Sequence, residues 1–370
     1  MIANSFVRNA WYVAGMAAEF KTDDLRGMVI AKKPVVIWRG ADGKVVAFDD
    51  RCVHKRMPLS CGKILANGTI ECAYHGFTYD TTGKCVAIPS QMDLPIPTRA
   101  KLRPFPVVEQ DGVVWLWAGD PARMGATRPP RTPEFADREF ESFTCEPIHV
   151  PANYRLLIEN LLDITHFYPL HDGNIGDLAN SKIPIEFIEQ EIDGNPSMKT
   201  IRRVQNYRHP PFLQEWFGYE VVDREHTHCM VSPGITRVQL RCAPPGRLGT
   251  PDERGYILHH SHTPIDETHH LWRWTVTVRK GQPSLDPATP SIERIKAMFP
   301  AVVDQDRWAL ERQQTMFNYD EDGYAEVHLR SDRSILTVRK ILDALEQREA
   351  QPASQAQPAA DKAVVASVDH

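Results

Sequence analysis

No stretch of this chain is apolar for the roughly 18–20 residues that a membrane-spanning helix needs, although hydrophobic residues make up 42% of its 370. Excess positive charge is missing too: 43 Lys and Arg stand against 48 Asp and Glu, a formal net charge of −5. That balance excludes the broad basic footprint of a nucleic-acid-binding domain, and leaves room for a basic patch that docks an acidic redox partner. The opening residues, Met1-Ile-Ala-Asn-Ser-Phe-Val-Arg-Asn-Ala10, lack the charged, apolar, small-residue order of a secretory signal. Cysteine is scarce, with 7 in the chain, and no segment repeats. The expectation is a soluble, cytoplasmic protein with neither membrane nor nucleic acid among its partners. Its length suits about two domains at roughly 150 residues each.

Short β-branched runs dominate the first third. Met28-Val-Ile-Ala, Val35-Val-Ile-Trp and Val45-Val-Ala-Phe read as strands, with turns at Gly40 and Asp42-Gly43. Val107–Trp117 reads as a hairpin about Asp111-Gly112. Residues 121–135 are rich in Pro and Arg and mark a linker or crossing segment. A helix is expected from about Tyr154, with Leu156, Leu157, Leu161 and Ile164 as its apolar positions. Alternating strands follow over 198–280, then helices near 290–318 and 331–348. The fold class is α+β: an all-β N-terminal domain (1–120), an antiparallel-sheet-plus-helices domain (121–348), and a low-complexity, disordered tail (349–370).

Cys52-Val53-His54 and Cys72-Ala73-Tyr74-His75 form a Cys-x-His … Cys-x-x-His pair. In a reducing compartment such groupings bind metal rather than form disulfides. Two soft thiolates suit one iron of a [2Fe–2S] cluster, and two neutral imidazoles suit the other. Replacing thiolates with imidazoles raises the potential from about −400 mV into a range of about −150 to +300 mV. A structural Cys2His2 zinc site is the bland alternative. Each half contributes one Cys and one His, as a Rieske cluster needs, and Gly76 allows close backbone approach. Cys61, Cys85, Cys145, Cys229 and Cys242 have no partner spacing.

The second informative run is Asn160-Leu-Leu-Asp163-Ile-Thr-His166-Phe-Tyr-Pro-Leu-His171. Asn160, Asp163 and His166 step by three, which places them on one face of a continued helix. Pro169 should bend or end that helix and so bring His166 and His171 together. Two imidazoles and one carboxylate make the facial triad of a non-haem Fe(II) oxygenase. Composition alone does not choose the carboxylate.

These motifs resemble those of the Rieske non-haem iron oxygenases. The segments Arg51–Ser60 and Glu71–Gly76 are similar to the family's cluster loops, with Val53, Ala73 and Lys55 where Pro, Pro and Arg are usual. Val303–Gln314 resembles the late helix whose acidic ligand precedes a Leu-Glu-x-Gln-Gln run. By that register Asp306 is the third ligand, with Asp304 the competitor and Gln305 standing where an acid is common. The opening Phe6–Gly15 is similar to dicamba, vanillate and toluene-sulfonate monooxygenases and to phthalate-type dioxygenases.

The resemblance implies a terminal oxygenase carrying a Rieske [2Fe–2S] cluster on Cys52, His54, Cys72 and His75, and mononuclear iron on His166, His171 and Asp306. It would use O2 to hydroxylate or O-demethylate a small aromatic acid or ether. The partner would be a ferredoxin, or a reductase with flavin and a plant-type [2Fe–2S] cluster. A homotrimer, or a multiple of one, would set each cluster beside a neighbour's iron, with Asp163 bridging His166 to the neighbour's His75. Asn160 and Asp163 are the candidate catalytic residues. His260 resembles a substrate-contacting histidine, but His259 and His262 crowd the same strand. Ring dihydroxylation, a pure Rieske electron carrier and a zinc-stabilised binding module are the competing readings.

Overall fold

The computed structural model describes residues 5–282, 291–319 and 324–351. The first 120 residues form three small antiparallel sheets. Trp11–Met16, Val113–Trp117 and Val107–Gln110 make one, in that order. The hairpin closing the last two turns on Asp111 and Gly112, both at positive φ (52° and 78°), as a two-residue turn between twisted strands requires. A second sheet holds Arg26–Ile30, Lys33–Arg39 and Val45–Asp49, extended by Pro104–Phe105. The third carries the cluster motif and has only two or three residues per strand. Such short strands hold because a local core of Trp38, Phe48, Leu59, Ile70 and Tyr79 packs with Cys52 and Cys72.

The rest of the chain is built on an eight-stranded antiparallel sheet. Its spatial order runs 140–144, 270–279, 254–264, 235–243, 221–232, 195–208 and 186–192, with 148–150 also paired to 270–279. The strands at 140–144, 148–150 and 186–192 lie outside the stretch expected from the sequence; their apolar alternation is weak. Helices α1 (Tyr154–Leu162), α2 (Phe167–Leu170), α3 (Leu178–Ser181), α4 (Pro211–Phe217), α5 (Ser291–Phe317) and α6 (Arg333–Ala350) complete the domain. None among the described residues is long and apolar enough to cross a membrane.

Helix α1 lies between two cores, which explains its near-continuous burial. Leu156, Leu157 and Leu161 join Trp272, Trp274 and Phe299 on one side. Tyr154, Ile158 and Leu162 join Phe6, Val7 and Tyr12 of the N-terminal segment, together with Val338 and Leu342 of α6. The two charges on α1 are buried and therefore need partners. Arg155 pairs with Asp343 at 2.7 Å and Glu346 at 2.5 Å, and Glu159 pairs with Arg339 at 2.7 Å. Asn153 caps α1 by accepting from the Arg155 N–H, while its own N–H donates to Gln314 of α5 at 2.7 Å. Helix α6 runs to Ala350, and Glu349 accepts from the backbone N–H groups of Arg8 and Asn9. Glu349 and Ala350, expected in a disordered tail, are therefore helical, and residues 352–370 lie outside the described ones.

Candidate active site

The two cluster loops are built alike. In each, the cysteine N–H donates to the carbonyl five residues on, Cys52 to Met57 and Cys72 to Phe77, both at 2.9 Å. In each, the residue four after the cysteine donates back to the cysteine carbonyl: Arg56 at 2.9 Å and Gly76 at 3.1 Å. That residue is left-handed in both loops, at φ 57° for Arg56 and 71° for Gly76. Arg56 shows that the turn tolerates a side chain there, so the glycine is required by Pro89, whose Cγ would lie 2.7 Å from an added Cβ. Repetition of the turn brings the histidines together, with ring centroids 4.5 Å apart.

Both thiols are buried and free of disulfide, and both imidazoles are exposed. The Tyr79 hydroxyl lies 3.2 Å from Cys52 Sγ, a contact the sequence analysis missed. Two soft sulfurs inside and two imidazoles outside fit a [2Fe–2S] cluster with one all-sulfur iron.

The second ligand set is interior. Helix α1 ends at Leu162, and Asp163 adopts extended backbone (φ −98°, ψ 101°), so the expected continuation of the helix through His166 does not occur. The break comes at Asp163, before both histidines, rather than at Pro169, which sits within α2. The Asp163 carboxylate caps the new turn, its Oδ1 accepting from Thr165 N at 2.8 Å and Thr165 Oγ1 at 2.6 Å. His166 bonds the backbone of Asp163 and also feels the charge of its carboxylate. One turn of α2 then returns His171 to His166, with ring centroids 5.2 Å apart.

Asp306 comes from α5. Its Oδ1 lies 3.1 Å from His171 Nε2, 3.5 Å from His166 Nε2 and 3.0 Å from Asn160 Nδ2. Ligand atoms of His166, His171 and Asp306 all fall within 4.8 Å of one another. Burial works against the Asp306 charge, but bonds from His171 and Asn160 and the His166 ring hold its carboxyl below the ordinary range. Asp304 instead points to solvent, 66% exposed, near Arg307. Gln305 accepts from His171 Nδ1 at 2.8 Å and from Asn174 at 3.3 Å. A carbonyl only accepts, so Nδ1 carries the proton and Nε2 is the nitrogen turned to Asp306. Two imidazoles with a buried carboxylate, one nitrogen fixed by an outer partner, fit a divalent iron with open positions.

This triad sits on the wall of a cavity lined mainly by apolar side chains, among them Leu161, Phe167, Leu258 and Phe299. His260 reaches the cavity, while His259 packs on Phe135 at the other face of its strand and His262 bonds Thr236. His226 and His228 also line it, and the sequence analysis passed over both. Their signal was a His-x-His step on a strand, which puts two rings on one face.

Residues 10–99 match the Rieske [2Fe–2S] domain, and residues 150–348 match the vanillate O-demethylase oxygenase C-terminal domain. The chain belongs to the Rieske non-haem iron oxygenases. It is 32% identical over 278 residues to the toluene-4-sulfonate monooxygenase system iron-sulfur subunit of Comamonas testosteroni, covering 72% of this chain and 78% of that protein. It is 28% identical over 377 residues to a vanillate O-demethylase oxygenase subunit of a Pseudomonas species, covering 98% and 99%. The fold matches a crystal structure of dicamba monooxygenase bound to dicamba with a TM-score of 0.82 at 29% identity, covering 94% of this chain and 99% of that one. This oxygenase is accordingly the terminal component of a multicomponent system, with a Rieske cluster and non-haem iron as cofactors and electrons arriving from a separate protein.

Proposed function

We propose that this oxygenase hydroxylates or O-demethylates a small aromatic acid or ether in the cytoplasm, taking electrons from a ferredoxin or from a reductase with flavin and a plant-type [2Fe–2S] cluster. The observation that carries this reading is the placement of His166, His171 and Asp306 on the wall of an apolar cavity. The similarity to toluene-sulfonate, vanillate and dicamba oxygenases supports the substrate class.

Cys52, His54, Cys72 and His75 hold the cluster; His166, His171 and Asp306 hold the iron. When bound, the cluster supplies single electrons and the iron activates dioxygen. The chain's own residues do the rest. Gln305 fixes the His171 tautomer. Asn160 donates to Asp306 and steadies the carboxylate. Phe167, Leu258 and Phe299 exclude water and present an aromatic ring edge-on or face-on to the open side of the triad. His260 offers an N–H to a polar substituent.

Asp163 links the centres in a homotrimer or a multiple of one: with Oδ1 taken by Thr165, Oδ2 accepts from His75 of a neighbouring subunit. Exposure of His75 supports that pairing.

In demethylation a methoxy group, O2, two electrons and two protons become a hydroxyl, formaldehyde and water. The test is a panel of methoxy- and methyl-substituted aromatics with a surrogate reductase, scoring product, formaldehyde and oxygen uptake. One product per O2 on at least one compound is expected. Oxygen uptake that no panel compound stimulates would remove the reading.

A further inference from the structure

The cavity wall holds three hydrogen-bonding positions whose sense the structure fixes, and they bear on what kind of aromatic enters. His228 Nδ1 lies 2.6 Å from the Leu161 carbonyl, which only accepts, so Nδ1 carries the proton and Nε2 is a lone pair. His226 Nε2 lies 3.1 Å from that lone pair. It must be the donor, and His226 Nδ1 is left as an acceptor. Burial holds both rings well below the ordinary imidazole range, His228 at about 3, so the neutral forms persist.

Asn160 is fixed in the same way. Its Nδ2 donates to the Asp306 carboxylate, so its Oδ1 is the remaining atom, buried and without a partner among the described residues. Against these two acceptors stands one donor of fixed sense. Trp272 Nε1–H donates to His260 Nδ1 at 3.1 Å, which puts the His260 proton on Nε2. Tyr256 adds a hydroxyl that can take either role, and no Lys or Arg among the described residues lines the cavity.

We propose, resting on the reading of this site as a small-aromatic oxygenase, that the substrate is uncharged and carries a hydrogen-bond donor, a phenol hydroxyl or an amide N–H, which His226 Nδ1 and Asn160 Oδ1 accept while His260 donates to an ether or carbonyl oxygen. An ionised carboxylate in this cavity would face two lone pairs and one neutral donor. Burying a charge demands an opposite charge or a full set of donors, and away from the iron on the triad the wall supplies neither. A phenol, by contrast, satisfies the Asn160 Oδ1 acceptor, which otherwise stays unpaired out of water.

The test measures binding of 3-methoxyphenol, 1,3-dimethoxybenzene and 3-methoxybenzoate to the holoenzyme by calorimetry under anaerobic conditions, with turnover of each followed separately. The phenol is expected to bind about tenfold more tightly than either of the others. In His226→Gln the amide nitrogen still reaches His228 while the Nδ1 acceptor is gone. The phenol should then lose about tenfold and dimethoxybenzene should be unchanged. His226→Asn restores an acceptor near Nδ1 and should recover most of the loss.

Equal weakening of all compounds in His226→Gln, or tightest binding and turnover of the benzoate, would overturn the inference and leave the oxygenase reading standing. Failure of all three to bind or to be oxidised would remove both.

Discussion

The two ligand sets of this oxygenase are assembled in opposite ways. The cluster loops lie within 24 residues of sequence, from Cys52 to His75, and each is closed by its own backbone turn; the histidine rings end at the surface beside exposed Val53 and Tyr74. The iron set joins α2 to α5 across 135 residues, and His171 has no accessible surface. A relay must bring one ligand edge against another protein, so exposure serves it. A site that activates oxygen must keep water from reactive species, and enclosure serves that. One chain meets both needs by giving local geometry to the first site and long-range packing to the second.

Four experiments break or sharpen this comparison. The largest effect is expected from removing one ligand at each site. Asp306→Ala should abolish iron binding and lower turnover by about a hundredfold or more, more than loss of an outer partner would, while leaving the visible spectrum of the cluster intact. Cys72→Ser should do the reverse, bleaching the cluster and sparing iron content by metal analysis. If either variant emptied both sites, the two would not be independently built.

Next in size is Asp163→Asn, which should leave both centres loaded and reduce coupled product formation by about tenfold or more, because Asn presents an N–H where the proposed bridge to a neighbour's His75 needs an acceptor. Normal coupled activity in that variant would sink the bridge. A smaller effect is expected from Gln305→Leu. Without its acceptor the His171 ring is free to turn, and iron affinity by chelator competition should fall about 10–100-fold.

The smallest concerns pH. Burial pushes His209, His228 and His262 down to about 3 and His260 and His270 to about 4, all in the second domain. Each is neutral when folded and takes up a proton when unfolded below about pH 6.5. The unfolded state then binds more protons, so stability is full above about pH 6.5 and falls as pH drops toward 4. The slope is up to about 1.4 kcal/mol per unit for each group. The urea midpoint followed by tryptophan fluorescence should be lower at pH 5 than at pH 7.5. The first domain has only the exposed His54 and His75, so an equally large fall in a transition reported by the cluster absorbance would break the contrast.

The same difference decides what could be read from sequence. The cluster motif was legible because its geometry is local: spacing, glycine and turn lie within a few residues of each ligand. The triad was legible only in pieces. His166 and His171 stood out by proximity, but the helix break at Asp163 did not, because an Asp is also an acceptable helix residue and its capping of Thr165 shows only in three dimensions. Asp306 was chosen over Asp304 through resemblance, and the structure separates them by burial. Gln305 drew notice as a departure from pattern, yet its bond to His171 crosses 134 positions. His226 and His228 went unremarked because their meaning depends on which face of a sheet meets α1. Strands at 140–150 and 186–192 were missed for want of alternation, since they are edge strands with half-exposed faces.

Helix α6 gives the chain an order of assembly in time. Val338 and Leu342 complete the core that Phe6, Val7 and Tyr12 begin, and Arg339 reaches the helix that carries Asn160. During synthesis that core stays open until α6 has been made. The cluster loops have a core of their own within residues 36–102. That core draws on no residue of α6 and can form before α6 is made.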